Sequence, residues 1–247
     1  MNIAFLIPIL LECPERERNL LKQLRYLLSF GAIIHLHECD TTQKVPLLIG
    51  DLIKKIRYEF TESNIFHRTR LLNQMALAAE TPIIALHDVD IFISKRQYDE
   101  AYYRIIDNSL DFCYPYTVWH WISDYVDQPI PDIGEELLSS LGGSVICRKS
   151  SFIDAGMENE NCISWGCEDI ERFGRWTTLG YKIGRIDGNL FHAQHPRNMN
   201  SGIENPYYAN NKAEAEKVNA MPRAELEQYI KTWSWVNSLS VSNKQQE

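Results

Sequence analysis

The sequence contains no apolar run approaching the ~20 residues that a bilayer-spanning helix requires. Its first residues, MNIAFLIPILLECPERER, have neither a basic n-region nor a small-residue cleavage site, so they read as a first buried strand rather than a secretory signal. None of the six cysteines (Cys13, Cys39, Cys113, Cys147, Cys162, Cys167) belongs to a C-x-x-C pair. Zinc-ribbon and dithiol redox readings therefore have no footing, and Cys162 and Cys167, close together but without a second pair, read as free thiols. Reduced thiols without a secretory signal predict a cytoplasmic protein. Basic residues are in deficit, with 25 Lys and Arg against 33 Asp and Glu and a formal charge of −8. That balance disfavours extended nucleic-acid binding, which needs a basic face, but not one phosphorylated small ligand. The sequence also lacks G-x-x-x-x-G-K-S/T, G-x-G-x-x-G and G-x-S-x-G, which leaves P-loop, Rossmann dinucleotide and serine-hydrolase readings unsupported.

What is present is the composition of a folded globule. The 247 residues are 45% hydrophobic, 23% charged and 11% aromatic, enough to bury a core without disulfides. Ile3–Ile9 is an apolar run, followed by leucines at helical spacing (Leu20, Leu21, Leu24, Leu27, Leu28) and a second run from Ala32 to Leu36. This is the opening of a βαβ unit in a parallel sheet, whose ligands bind at the carboxyl ends of the strands. The pattern predicts helices from about Leu47 to Phe60 and from Phe66 to Leu77, then a central strand Pro82–Leu86 that ends in His87-Asp88-Val89-Asp90. A helix near Gln97–Asn108, a strand through Phe112–Tyr116 and a long loop from Thr117 to Pro131 follow. Gly142–Cys147 returns to strand, Ser150–Ala155 and Glu168–Leu179 read as helices, and Lys182–Ile186 with Asn189–His192 close the sheet. No linker splits the chain, and the pattern predicts one domain over 1–200, a C-terminal helical extension over 201–240 packed on it and a flexible tail over 241–247. The stripe Leu226, Tyr229, Ile230, Trp233 and Val236 could pack on the core, meet a partner, or make a peripheral membrane contact.

Three clusters carry chemistry. Asp88 and Asp90, two apart at a strand end, project to one side and can address one cation and its ligand, although short acidic pairs also cap strands and helices. His192 and His195 form an H-x-x-H after the last strand, at a spacing that lets both imidazoles join Asp90 on a metal. The glutamate and helical spacing of a zinc protease are missing. In Trp165-Gly166-Cys167-Glu168-Asp169 two acids open a helix; capping accounts for one, and the preceding tryptophan marks the cluster as a candidate for general-base chemistry. Arg68 and Phe66 are candidates for a nucleotide or phosphate, and Gly142-Gly143 for either strand packing or close ligand approach.

Together the segments FHRTRLLNQMALA, IIALHDVDIFI, GGSVICRKSSFIDAGMENENCISWGCEDIERFGRWTTLGYKI and FHAQHPRN resemble the beta-1,4-galactosyltransferase type of GT-A glycosyltransferase, bacterial polysaccharide-synthesising relatives included. The resemblance runs from about residue 3 to 200. It implies an α/β GT-A fold with a mostly parallel central sheet flanked by helices and a Rossmann-like nucleotide-sugar-binding half. It also implies a UDP-sugar-dependent inverting hexosyltransferase acting on a hydroxyl of a glycan or lipid-linked acceptor, with galactose or N-acetylgalactosamine favoured. Carried over, Pro8, Phe66 and Arg68 line the uridine, Asp88 and Val89 the ribose and diphosphate, Trp165 the donor phosphate and Gly143 the acceptor. Asp90, His195 and His192 would hold manganese, with magnesium the alternative, while Asp169 is the expected base with Glu168 beside it. The loop after Pro8 is longer than in the family, so Arg16 and Arg18 have no matching position. Serine and cysteine flank Trp165-Gly166 where animal members often carry glycines, and the animal enzymes' Golgi anchor has no counterpart. A nucleotide-sugar-binding module without catalysis and a UDP-sugar hydrolase are the competing readings.

Overall fold

The computed structural model describes residues 2–123, 137–197 and 202–238. Strand β1 (Ile3–Ile9) is buried along its whole length, and its unbroken apolar sequence is what a strand covered on both faces requires. Helix α1 (Pro14–Ser29) opens with proline at its first position and buries Leu20, Leu24 and Leu27, one apolar stripe at helical spacing. Gly31, at φ +72°, turns the chain into β2 (Ile33–Asp40).

The expected helix over 47–60 is not there. Instead α2 (Val45–Ile49) stops at Gly50, whose φ of +53° and ψ of −129° are not helical. A 3₁₀ segment and then strand β3 (Arg57–Glu62) follow, the strand pairing in parallel with β2. The alternation Tyr58, Phe60 is the period-2 signal of an edge strand. Helix α3 (Arg68–Ala78) leads to β4 (Ile83–His87), fully buried, and the chain passes through Asp88–Asp90 into β5 (Ile91–Ile93). Helix α4 (Lys95–Ile106) is capped by Ser94, and β6 (Phe112–Tyr114) follows.

The expected loop from Thr117 begins as a strand, β7 (Val118–Ile122), and its remainder lies mostly outside the described residues. Then come β8 (Leu137–Leu138), β9 (Ser144–Arg148), α5 (Lys149–Asp154), α6 (Glu168–Leu179), β10 (Ile183–Arg185), β11 (Asn189–Ala193), α7 (Tyr208–Ala220) and α8 (Arg223–Ile230). The strands form two sheets. The larger has the order β10-β6-β9-β4-β1-β2-β3, parallel except where β9 runs against β4 and β6. The smaller has the order β5-β11-β7-β8 and begins where β4 ends.

The C-terminal stripe is not a free apolar face. Leu226, Ile230 and Trp233 are 0%, 7% and 3% exposed, packed with Val218 into one cluster, and Arg175 lies over the Trp233 ring at 5.3 Å. Gly156 (φ +89°) admits this packing, because a Cβ there would stand 2.8 Å from Ile230 and 3.0 Å from Trp233. Burial in the chain's own fold removes the apolar surface that membrane contact would use. Among the described residues no helix is long and apolar enough to cross a membrane, and all six cysteines are free. The expected tail over 241–247 lies outside the described residues.

Trp233→Ala should lower the free energy of unfolding by about 3–5 kcal/mol in urea melts, the cost of emptying a buried aromatic site. Wild-type protein should not co-sediment with anionic vesicles. A loss under about 0.5 kcal/mol, as at an exposed position, together with vesicle binding lost in Trp233→Glu, would return the stripe to the membrane.

Candidate active site

The carboxyl end of β4 opens onto a cavity of about 550 Å³. Its walls include every residue singled out in the sequence: Pro8 from β1, Phe66 and Arg68 from the start of α3, Asp88, Val89 and Asp90 after β4, and Gly143 before β9. Trp165 comes from the segment that leads into α6, Glu168 and Asp169 from its first turn, and His192 and His195 from β11 and just beyond its end. It also takes in Glu12, Arg16, Trp119, Trp121, Gln194 and Arg197, to which the sequence reading assigned no role.

Backbone bonds hold the turn that carries the aspartates. The Asp88 N–H donates to the Gly143 carbonyl at 2.8 Å, and the Ala193 N–H donates to the Asp90 carbonyl at 2.8 Å. His87 is fully buried between them and the core. A carbonyl only accepts, so His87 Nδ1 carries the proton that it donates to the Asp88 carbonyl (2.7 Å), and Nε2 accepts from the Tyr98 hydroxyl (2.7 Å). Burial pushes this imidazole down to about 4, so it stays neutral.

Because β5 and β11 pair with Ile91 opposite His192, that histidine stands beside Asp90. His192 Nε2 lies 3.3 Å from Asp90 Oδ1 and His195 Nε2 lies 3.0 Å from Asp90 Oδ2; one ligand atom from each residue falls within 4.8 Å of the others. Trp119 stacks on His192 at 5.0 Å and Trp121 meets it edge-on at 4.5 Å, which fixes the ring. Burial raises the Asp90 carboxyl, but His192, His195 and Arg16 outweigh it and hold it well below the usual carboxylate range; burial lowers His192.

This donor set fits a divalent cation. His195 Nδ1 donates to the Pro196 carbonyl at 2.9 Å, which leaves Nε2 facing a carboxylate oxygen of Asp90 at 3.0 Å, with Arg16 Nη2 3.4 Å away. Two acceptors face each other there unless a proton or a metal sits between them. Imidazole with carboxylate suits zinc, manganese, iron or cobalt better than magnesium.

Across the cavity stand the acids of α6. Arg172, 1% exposed, pairs with Asp169 at 2.5 Å and with Glu158 at 3.4 Å, and donates to the Leu141 carbonyl at 3.1 Å. The spacing Asp169-x-x-Arg172 puts both on one helix face, the signal by which sequence could have found Arg172. Gly142 passes so close that a Cβ would stand 3.1 Å from Asp169 Oδ2, and Gly143 (φ +78°) leaves no room beside Leu190 and Trp119. Arg68 is buried as well. It pairs with Asp88 at 2.7 Å and reaches Glu168 at 3.8 Å, instead of lying on a solvated helix face. Burial raises Asp169 against the pull of Arg172 and Arg68, and burial with the neighbouring Asp169 charge pushes Glu168 up to about 7.

Glu168 therefore binds its proton more tightly in the folded chain than in the unfolded one, at about 7 against 4.5. Its contribution to stability is complete below pH 4.5 and is lost as pH rises through 7. A ¹³C-carboxyl titration should show Glu168 turning over near neutrality, and Glu168→Gln should flatten the decline of stability across that window. A midpoint near 4.5 would contradict the assignment.

No protein-family model and no curated protein matches this sequence. Solved structures do. GalNAc-T7, crystallised with UDP, GalNAc and Mn²⁺, is 12% identical over 88% of this chain and 48% of its own, with a TM-score of 0.65. S. aureus TarS 1-349 is 13% identical over 93% of this chain and 69% of its own, at 0.59. The catalytic domain of Drosophila beta1,4galactosyltransferase 7, in complex with xylobiose, is 19% identical over 74% of this chain and 63% of its own, at 0.45, too loose a match to bear on the fold. This chain thus spans less than two thirds of the GalNAc-T7 and Drosophila chains. The two sheets joined at Asp88–Asp90, and the likeness to GalNAc-T7 and TarS, establish that the chain has the fold of the GT-A glycosyltransferases.

Proposed function

We propose that this protein is a metal-dependent, inverting glycosyltransferase that moves a hexose or N-acetylhexosamine, galactose or N-acetylgalactosamine first, from a UDP-sugar to a hydroxyl of a glycan or lipid-linked acceptor. The observation that carries this reading is that the cluster of Asp90, His192 and His195 and the acid Asp169 line a single cavity, in a chain of GT-A fold. Asp90, His192 and His195 would hold manganese, favoured over magnesium by the imidazoles, and the cation supplies Lewis-acid stabilisation of charge on the departing diphosphate. We assign residues 1–200 to the catalytic domain and 201–240 to an extension of it.

The residues divide the work by position. Phe66 and Pro8 offer apolar contact for the uracil, and Arg68, which lines the cavity beside them, contacts the uridine. Asp88 and Val89 lie against the ribose and diphosphate, and Trp165 meets the donor phosphates. Gly143 lines the same cavity on the acceptor side. Asp169, whose side chain is 30% exposed, takes the proton from the acceptor hydroxyl as that oxygen attacks the anomeric carbon, the carbon–oxygen bond to UDP breaks, and the configuration inverts. Arg172 keeps the carboxylate aimed, and Glu168 contacts the acceptor or donor sugar.

Burial raises the Asp169 carboxyl, so transfer should fall on the acid side at a pH above the ordinary carboxylate range. A panel of UDP-sugars and glycan acceptors with Mn²⁺ should give transfer that EDTA abolishes. Asp169→Asn should reduce kcat by about 10²–10⁴-fold, the usual scale of a general base, with UDP binding retained. Sugar released to water faster than to every acceptor would favour a hydrolase, and UDP binding without turnover a binding module.

A further inference from the structure

The segment Ile163–Cys167 carries Trp165 yet lies in no helix or strand, and three of its five residues sit at positive φ: Ser164 at +62°, Gly166 at +113° and Cys167 at +67°. Two of these are not glycine. Backbone of this kind persists only where surrounding groups determine it.

Those groups come from the C-terminal extension. Asn211, 1% exposed, donates from Nδ2 to the carbonyls of Ile163 (2.7 Å) and Trp165 (3.1 Å) and accepts the Ile163 N–H at 3.0 Å. Asn205, 4% exposed, donates to the Ser164 hydroxyl at 2.8 Å. The ring of Tyr208, the first residue of α7, lies nearly parallel to the Trp165 indole, with centroids 6.0 Å apart and planes at 21°. Gly166 lets Tyr208 approach, since a Cβ there would stand 2.7 Å from its ring. From α6, Glu168 accepts the Gly166 N–H at 2.9 Å and the Glu171 N–H donates to the Cys167 carbonyl at 2.9 Å.

We infer that Tyr208 and Asn211 are positioning residues, which set the Trp165 indole in the cavity before a donor arrives. The inference rests on the glycosyltransferase reading for what Trp165 meets, but not for the clamp itself. A clamp on a donor contact acts on donor affinity rather than on the chemical step, because Asp169 and the metal ligands are held by other elements.

Two measurements test it. Hydrogen exchange over 163–167 in the ligand-free protein should quicken about tenfold in Tyr208→Ala, the loss of one aromatic stack, and stay at the wild-type rate in Tyr208→Phe. With saturating acceptor, the KM for the UDP-sugar should rise by about the same factor in Tyr208→Ala with kcat within about twofold, while Tyr208→Phe restores it. Gly166→Ala, which presses a methyl into the Tyr208 ring, should reproduce the rise with Tyr208 intact. Exchange and KM both unchanged in Tyr208→Ala would overturn the inference, whatever its melting temperature. Wild-type protein inert with every UDP donor would overturn the functional reading instead, and the exchange result would still decide the clamp.

Discussion

The turn from β4 into β5 is where the large sheet gives way to the small one, and the site follows from how that turn is fixed. Asp88 and Asp90 lie in a stretch too short to be regular structure, so their direction depends on partners. Gly143 accepts from the Asp88 N–H, His87 donates to the Asp88 carbonyl, and Ala193 donates to the Asp90 carbonyl. The first ties the turn to the strand running against β4, the second to the core through Tyr98, and the third to the strand that brings His192. A shift of one residue in the pairing of β5 with β11 would turn His192 away from Asp90.

The second organising feature is the neutralisation of buried acid by two buried arginines. Asp88, Glu168, Asp169 and Glu158 surround Arg68 and Arg172, each arginine paired to two of them. Removing one member of such an arrangement leaves a buried charge unpaired, which costs several kcal/mol. Burial outweighs the pull of the two arginines, so Glu168 is pushed up to about 7 and Asp169 above its ordinary value. Carboxylates tuned this way are suited to proton transfer near neutrality, whereas Asp90, held low by imidazoles and Arg16, is suited to a cation.

Strands β1 and β4 were legible because a strand buried on both faces must be an unbroken apolar run, and the polar residues that end it mark the site. D-V-D, W-G-x-E-D and H-x-x-H were legible because each groups chemistry-bearing residues within a few positions. Strand β7 was not, because Val-Trp-His-Trp-Ile alternates aromatics that read as loop until β11 pairs with it. Helix α7 falls within the expected helical extension over 201–240, but its bounds were not legible, because the side it buries consists of Asn211, Ala215 and Val218, a stripe with little hydrophobic contrast. Arg16 reaches the cavity from the first turn of α1, and its place near His195, at 3.4 Å, reveals it. The C-terminal stripe was ambiguous for a related reason: amphipathicity says that a face is covered, and Gly156 and Arg175 say by what.

We propose that one turn unites a metal site with a nucleotide-diphosphate site. Calorimetric titration of UDP into the protein tests it most directly, run with Mn²⁺, in EDTA, and with Asp90→Asn, because it needs neither the donor sugar nor the acceptor. The account predicts binding at one site that is lost both in EDTA and in Asp90→Asn. UDP affinity unchanged by either, or no UDP binding under any condition, would contradict it.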